Sequence, residues 1–478
     1  MMHLQGLLKI MAIAWLVLVT LITPSSAPSS DTAEPPNVVI IIVDALRPDV
    51  LGCYGAQTRT PNIDHLAQMG TMYRYAYSTG THTAPSCVAM LTGNYPAVYV
   101  HPENEVQIKG HRIFRIPDSH VSLFEELAQR GYEVCCCLQN KIPEYANALQ
   151  GVSRRLHLEK VSMEMRREVR SKLGIKTAQF PPSFYLTLDY LLHASSSQPF
   201  LLLIWILDPH APYDPPNLAV DKMADSLNLH LKPAYYRQLK GVELKAKASE
   251  LSDAEREFLK RLYIAEVEDV DRRVGLIIEA LKVSDLLNHT YIVLTADHGE
   301  FLGEHGLYSH GWDVFYDCVV HVPLIYVGPE IPKGRISNVR VSHVGLIPTL
   351  ADLLGVELTQ PRQGKSYRSS LYKDFPSEKI YFVNYTPRAS AVLDGRWKFI
   401  KRYQQMLLFD PSQDPDEVVN LVDEYPQVAR RLLDEVRRFG QVIQASDSGQ
   451  DNRAGTSGLT AEQREELKHH LKALGYIR

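Results

Sequence analysis

Residues 37–44 read Asn-Val-Val-Ile-Ile-Ile-Val-Asp, a continuous β-branched run that ends in an acid. Such a run lacks the polar alternation of a half-exposed strand. It fits a strand of a parallel sheet covered on both faces. Two further runs have the same character and the same ending. Residues 200–207 (FLLLIWIL) lead into Asp208-Pro209-His210, and residues 291–295 (YIVLT) lead through Ala296 into Asp297-His298. Helical patterns lie between them. The clearest opens at a capping box, Ser252 to Glu255, and carries Leu259, Tyr263, Val267, Val270, Val274, Ile277 and Leu281 on one face. Strands alternating with amphipathic helices predict an α/β layered domain with a mostly parallel sheet.

In such sheets ligands bind beyond the carboxyl ends of the strands. A single Asp after a strand is as often a turn former or a helix cap. Three strands that each deliver an acid or a histidine to one edge are harder to explain that way. Asp44, Asp297 and His298 are oxygen and nitrogen donors of the kind that hold Mn²⁺, Zn²⁺, Mg²⁺ or Ca²⁺. They predict a metal site.

Composition excludes classes without selecting one. Of 478 residues, 51 are Lys or Arg and 55 are Asp or Glu, a formal charge of −4, with 45% hydrophobic and 22% charged. That is a globular chain, with no basic footprint for nucleic acid. Its length favours one large domain and a smaller one. Met1 to Pro36 reads as targeting sequence: Lys9 precedes the apolar run Ile10 to Ile22, and Ser25-Ser26-Ala27 offers the small residues of a cleavage site. The run falls short of the roughly 20 residues that span a bilayer, which favours a cleaved signal over a retained anchor. Export to a periplasmic or extracellular space follows in either form, with membrane contact only through this segment. The six cysteines, Cys53, Cys87, Cys135, Cys136, Cys137 and Cys318, form no regular disulfide framework. Asn288-His289-Thr290 and Asn384-Tyr385-Thr386 are glycosylation sequons that matter only in a host that glycosylates.

Residues 81–93 (THTAPSCVAMLTG) predict a loop entering a short helix, with Thr83 at the N-cap, Pro85 in the first turn and Gly93 at the end. Read blandly, this is a capped helix. Beside a metal site, the Thr83 hydroxyl becomes a candidate nucleophile, because coordination lowers its pKa and a helix N-terminus favours an anionic ester.

The ordered motifs resemble the sulfatase branch of the alkaline phosphatase superfamily. They are Val43-Asp44-Ala45-Leu46-Arg47-Pro48-Asp49, Leu51-Gly52-Cys53-Tyr54-Gly55, residues 58–66 (TRTPNIDHL), Thr83-Ala84-Pro85-Ser86 with Leu91-Thr92-Gly93, and Asp208-Pro209-His210-Ala211-Pro212-Tyr213. Asp297-His298-Gly299-Glu300, Leu302-Gly303-Glu304-His305-Gly306 and Val322-Pro323-Leu324 follow, then Asp394-Gly395-Arg396-Trp397-Lys398 and a run from Leu408 to Leu421. The resemblance implies a three-layer sandwich with a mostly parallel central sheet and a small C-terminal subdomain with an antiparallel sheet. The domains are then expected at 1–33 (signal or anchor), 34–375 (catalytic), 376–445 (C-terminal subdomain) and 446–478 (linker and terminal helix).

Departures from the family pattern bear on the chemistry. Sulfatases carry, where Thr83 stands, a cysteine or serine that becomes formylglycine, and an arginine where Cys87 stands. The second metal-binding acid of the family is Ala45 here, and its later lysine is His310. No formylglycine is therefore expected. A threonine nucleophile resembles superfamily members that work on phosphorus, some of which bind one divalent ion (Mn²⁺, Zn²⁺ or Ca²⁺) through an acid, the threonine and an Asp-His pair. By that likeness Asp44, Thr83, Asp297 and His298 hold the metal, His210 and His310 are catalytic, and Asn104 binds substrate. Glu300, Glu304 and His305 are expected to order the loop after the Asp-His pair. The expected activity is hydrolysis of a sulfate or phosphate ester, phosphodiester or phosphonate preferred, on a small-molecule, glycan or lipid substrate. The alternatives are a membrane-anchored phospho-headgroup transferase, an arylsulfatase-type sulfuric ester hydrolase, and a binding protein that has lost catalysis.

Overall fold

The computed structural model describes residues 34–109, 111–176, 180–195, 197–215, 224–227, 229–385, 389–447 and 459–477. The expected signal or anchor at 1–33, and most of the expected linker, lie outside the described residues. Everything below belongs to the unit Pro36–Arg478. Among the described residues no helix is long and apolar enough to cross a membrane.

Eight strands form the central sheet. In chain order they are β1 (Asn37–Val43), β2 (Thr71–Tyr73), β3 (Glu133–Leu138), β4 (Arg154–Arg155), β5 (Phe200–Ile206), β6 (Thr290–Ala296), β7 (Leu324–Val327) and β8 (Arg335–Ser337). Their spatial order is β8-β2-β7-β6-β1-β5-β3-β4, and only β7 runs against the rest. The mostly parallel α/β sheet expected from residues 37–44 is what forms. Every side chain of β1, β5 and β6 is buried. Because alternate side chains point to opposite faces, both faces must be covered. Each such Val, Ile or Leu contributes about 1.5–3 kcal/mol on burial, and the polar Asn37, Thr290 and Thr295 of these strands are hydrogen-bonded.

Five helices matter for the site: α1 (Thr83–Thr92), α2 (Gly241–Lys247), α3 (Asp253–Val283), α4 (Pro426–Asp447) and α5 (Ala461–Ala473). α3 starts at the expected box, Ser252 with Glu255, and buries all seven residues of the expected apolar face. A separate antiparallel sheet, β9 (Ile380–Val383), β10 (Ala389–Asp394), β11 (Trp397–Arg402) and β12 (Gln405–Phe409), packs against α4. Lys398 of β11 is wholly buried between Asp317 and Glu417, 2.8 Å from the latter.

All six cysteines are free thiols, and Cys135 to Cys137 lie buried in β3. The second sequon has a structural reading instead. Asn384 is buried, its carbonyl accepts from the Thr81 N–H at 3.0 Å, and its amide donates to Asp313 at 2.8 Å. It pins the loop that precedes α1 and presents no side chain for glycosylation.

Candidate active site

Strand register builds the site. Val43 pairs with Ile206 on one side and with Ala296 on the other. The chain therefore leaves three neighbouring strands at one level, and Asp44 and Asp297 emerge side by side with His298 next in sequence. One ligand atom from each of Asp44, Asp297 and His298 lies within 4.8 Å of the other two, and all three residues are buried.

Hydrogen bonds leave one donor atom of each residue open. The Asp44 Oδ2 accepts from Asn140 Nδ2 at 2.7 Å and from Trp205 Nε1 at 3.1 Å, while Oδ1 has no partner. The Asp297 Oδ1 accepts from the backbone N–H of Ala45 at 3.1 Å and of His298 at 2.9 Å, while Oδ2 has no hydrogen-bond partner. His298 Nδ1 lies 2.7 Å from the Gly299 carbonyl, which can only accept, so Nδ1 carries the proton and Nε2 presents a lone pair. That Nε2 is 3.3 Å from Asp297 Oδ2 and 3.8 Å from Asp44 Oδ1. Orphaned carboxylate oxygens facing an imidazole lone pair in a dry site are costly unless a cation joins them. The donor set fits a divalent ion with oxygen and nitrogen preference. Burial, with the like charge of Asp297 beside it, pushes the Asp44 carboxyl up to about 6. Burial pushes Asp297 up to about 7 against the hydrogen bonds it accepts. Burial also lowers His298, keeping it neutral as a ligand must be.

Thr83 lies next to this group. The helix starts one residue earlier than expected, with His82 in extended conformation at the N-cap and Thr83 as the first helical residue. Its hydroxyl makes no cap and instead reaches into the site, with Oγ1 3.3 Å from His298 Nε2. Gly93 ends α1 at φ 76°, as expected of a glycine cap. Ala45, where the resemblance expects a second acid, sits at φ 58° and uses its N–H to hold Asp297 and its carbonyl to accept from Tyr263.

Two more histidines lie beside this group, the His310 ring 4.3 Å from that of His298. His210 donates from Nδ1 to the Ala211 carbonyl at 2.7 Å, and its buried Nε2 has no partner. Its ring lies 4.9 Å from that of His310. His310 Nδ1 is 2.9 Å from Glu300 Oε2, and Glu300 Oε1 accepts from Tyr213. Burial raises Glu300 well above the usual carboxylate range and holds His310 well below the usual imidazole range. The pair is therefore neutral: the Glu300 O–H donates to Nδ1, and His310 Nε2 bears the ring proton and points at the cavity. Glu304 does order its loop, by binding Arg47 at 2.6 Å, and Arg47 also binds Asp49 at 2.6 Å and so has no charge left for substrate.

A cavity of about 180 Å³ next to the site is walled by His82, His111, His210, His310, Lys245 and Tyr476, and Thr83 meets that wall through Tyr476 at 3.2 Å. Lys245, from α2, brings an ammonium to this wall, 5.3 Å over the Trp312 ring. Burial lowers His82 far below its usual range and His111 to about 4, so the imidazoles stay neutral. Asn104 does not line this cavity, and its side-chain amide donates to the Tyr99 carbonyl at 3.2 Å. The sequence reading missed Asn140, Trp205, Lys245 and Tyr476, and gave Glu300 only the ordering of its loop, where its carboxyl also joins His310 and Tyr213. Asn140 follows the end of β3 and was open to the same strand-end rule that found Asp44; the others carry no local signal.

The sequence profile of the family described as Sulfatase matches residues 36–356. The chain belongs to the sulfatase family. A second profile, N-sulphoglucosamine sulphohydrolase, C-terminal, matches residues 303–441. The chain is 25% identical over 428 residues to the uncharacterized sulfatase YidJ of Escherichia coli K12, covering 81% of this chain and 83% of that one. It is 25% identical over 452 residues to arylsulfatase K of Mus musculus, covering 84% and 79%. Among solved structures it resembles a phosphonate monoester hydrolase of Agrobacterium radiobacter, with TM-score 0.66, 20% identity and coverage of 86% and 96%. It also resembles BT4656 in complex with D-glucosamine-2-N,6-O-disulfate, with TM-score 0.65, 19% identity and coverage of 88% and 100%. Membership makes this sulfatase-family protein an ester hydrolase, and its Asp44, Asp297 and His298 form a group that could hold the divalent ion such enzymes use.

Proposed function

We propose that this sulfatase-family protein hydrolyses phosphorus esters, phosphodiesters or phosphonate monoesters, through a covalent intermediate on Thr83. The observation that carries the reading is the Thr83 hydroxyl, 3.3 Å from His298 Nε2, beside the open oxygens of Asp44 and Asp297. Oxidation of cysteine or serine gives an aldehyde. Threonine, with its extra methyl, would give a ketone that hydrates poorly, so the formylglycine route has no starting residue here. Cys87 does not replace it, because its thiol is buried and donates to the Ala84 carbonyl inside α1.

A divalent ion held by Asp44, Asp297 and His298 would lower the pKa of the Thr83 hydroxyl and take up charge on the ester oxygens. Thr83, its proton lost to solvent, attacks phosphorus while the bond from phosphorus to the alcohol oxygen breaks. His310 Nε2–H gives its proton to that leaving oxygen, and Nδ1 takes the proton that Glu300 holds. Water then attacks the phosphothreonine. Its proton goes to His310 Nε2, Nδ1 returns its own to Glu300, and Thr83 is released. Lys245 and His210 face the same cavity and bind the oxygens that do not leave.

Sulfate ester hydrolysis is the second reading, and the family match with its arylsulfatase relatives favours it. A panel of aryl sulfate, phosphomonoester, phosphodiester and phosphonate monoester substrates, with added Mn²⁺, Zn²⁺ or Ca²⁺, separates the two. We expect metal-dependent turnover of the diester or phosphonate, lost by at least about 10³-fold in Thr83→Ala, with unmodified threonine at position 83 by peptide mass. Turnover of sulfate alone would overturn the phosphorus preference, and turnover untouched by Thr83→Ala would overturn the nucleophile.

A further inference from the structure

Residues near the C-terminus fold back to Thr83. α5 opens at a capping box, Thr460 with Gln463, and buries Leu467 and Leu471. It is tied beside the site at two points. Glu466 pairs with Lys141 at 2.6 Å, and His470 Nε2 accepts from the Lys141 backbone N–H at 2.9 Å, one residue from the Asn140 that holds Asp44. Past the helix, Leu474 and Ile477 are buried as well. Between them Gly475 stands at φ 76°, where a Cβ would lie 2.6 Å from Lys240 Cβ. This left-handed turn reverses the chain, as glycine does beyond a helix end. It drops Tyr476 into the cavity.

The Tyr476 hydroxyl lies 3.2 Å from Thr83 Oγ1 and 3.1 Å from His310 Nε2. Its ring is 5.0 Å from that of His111 and 5.8 Å from that of His210. An ester about to be attacked must place its reacting group about 3–3.5 Å from the nucleophile. It must also place an oxygen within reach of His310. The phenol oxygen already fills that position, so phenol and ester cannot be there together.

We propose that Tyr476 is a further specificity-determining residue: residues 459–477 roof the catalytic pocket, and Tyr476 occupies the ester position until a substrate displaces it. The proposal deepens the reading of Thr83 as nucleophile and rests on it. Only Gly475 to Ile477 need shift, because α5 is held by its own buried leucines and the Lys141 contacts. The space so gained is bounded by Leu474 and Gly475 on one side and by Val242 and Lys245 of α2 on the other, which excludes bulky leaving groups and admits slim ones. Competition of this kind raises the apparent Kd of every anionic ligand by the reciprocal of the fraction of molecules in which the plug is out. Two hydrogen bonds and a ring make that about tenfold or more.

The test uses the full-length, metal-loaded protein and two probes. Inorganic phosphate binding is measured by calorimetry on wild type, Tyr476→Phe, Tyr476→Ala and a chain ending at Leu474, each checked for native circular dichroism. We expect phosphate to bind about tenfold more tightly to Tyr476→Ala and the shortened chain, with Tyr476→Phe between them and wild type. In turnover, KM for a naphthyl ester falls more than KM for a methyl ester, at a kcat that does not fall. Unchanged phosphate affinity overturns the proposal. So does a drop in kcat at constant KM, which would make the phenol a proton donor or a positioning group. If wild type turns over no ester, the Thr83 reading fails by itself, and the phosphate measurement still decides whether Tyr476 competes for the site.

Discussion

Metal affinity should depend steeply on pH, and the dependence can be worked from the site. Asp44 and Asp297 have carboxyl pKa values of about 6 and about 7 in the metal-free protein. Both must lose their protons for the open oxygens to bind a cation, and burial lowers His298 so that the two carboxyls dominate the dependence. Between pH 5 and pH 8 the apparent dissociation constant for Mn²⁺ should therefore fall about 1000-fold, close to 4 kcal/mol. The fall is steep at pH 5 and levels off near pH 8. Calorimetry in buffers of different ionisation enthalpy should show about two protons released per ion at pH 5 and close to none at pH 8. The stability of the metal-free protein moves the other way. Carboxyls with raised folded-state pKa values stabilise most below about pH 4, and that contribution is lost as pH rises through 6 and 7. The buried histidines oppose this, because their folded-state values are lowered and their contribution is lost as pH falls below about 6.5. The thermal shift on adding metal, rather than the melting temperature itself, isolates the carboxylates. It should grow from pH 5 to pH 8 and vanish in Asp297→Asn. An affinity that does not vary with pH, or binding without proton release at pH 5, would refute the assignment of these two acids as ligands.

Four further outcomes follow from particular contacts. Asn140→Ala frees the Asp44 Oδ2 from its shortest donor and should weaken Mn²⁺ binding about 10–100-fold, read by titration against a chelating dye. Glu300→Gln keeps a donor for His310 Nδ1 but has no proton to pass on; kcat should fall about 100-fold with KM little changed, and an unaltered kcat would remove the proton relay. Lys398→Ala leaves Asp317 and the buried Glu417 without their cation and should cost about 3–5 kcal/mol in urea unfolding. Lys365→Ala, which breaks the exposed pair with Glu378, should cost less than about 1 kcal/mol.

Residues 37–44 by themselves determine a buried strand and the acid at its end, because the preference is local: β-branched side chains suit a sheet covered on both faces, and a run without polar residues suits nothing at the surface. The same holds for the strand before Asp297-His298, for the Ser252 cap of α3, and for Gly93 at the end of α1. Thr83 is legible as a polar residue opening a helix, and its family as an ordered set of such motifs. Tertiary structure decides the rest, since it concerns which ends meet. Register sets Val43 level with Ala296 and Ile206, and that places Asp44 beside Asp297. Glu300 looks like a loop residue until Tyr213 and His310 close around it. Tyr476 lies 393 residues from Thr83 and shares no pattern with it. Its place depends on a helix anchored by apolar burial and on one glycine that turns the chain. Such contacts reward the chain only after its long loops have closed, so no window of sequence can record them.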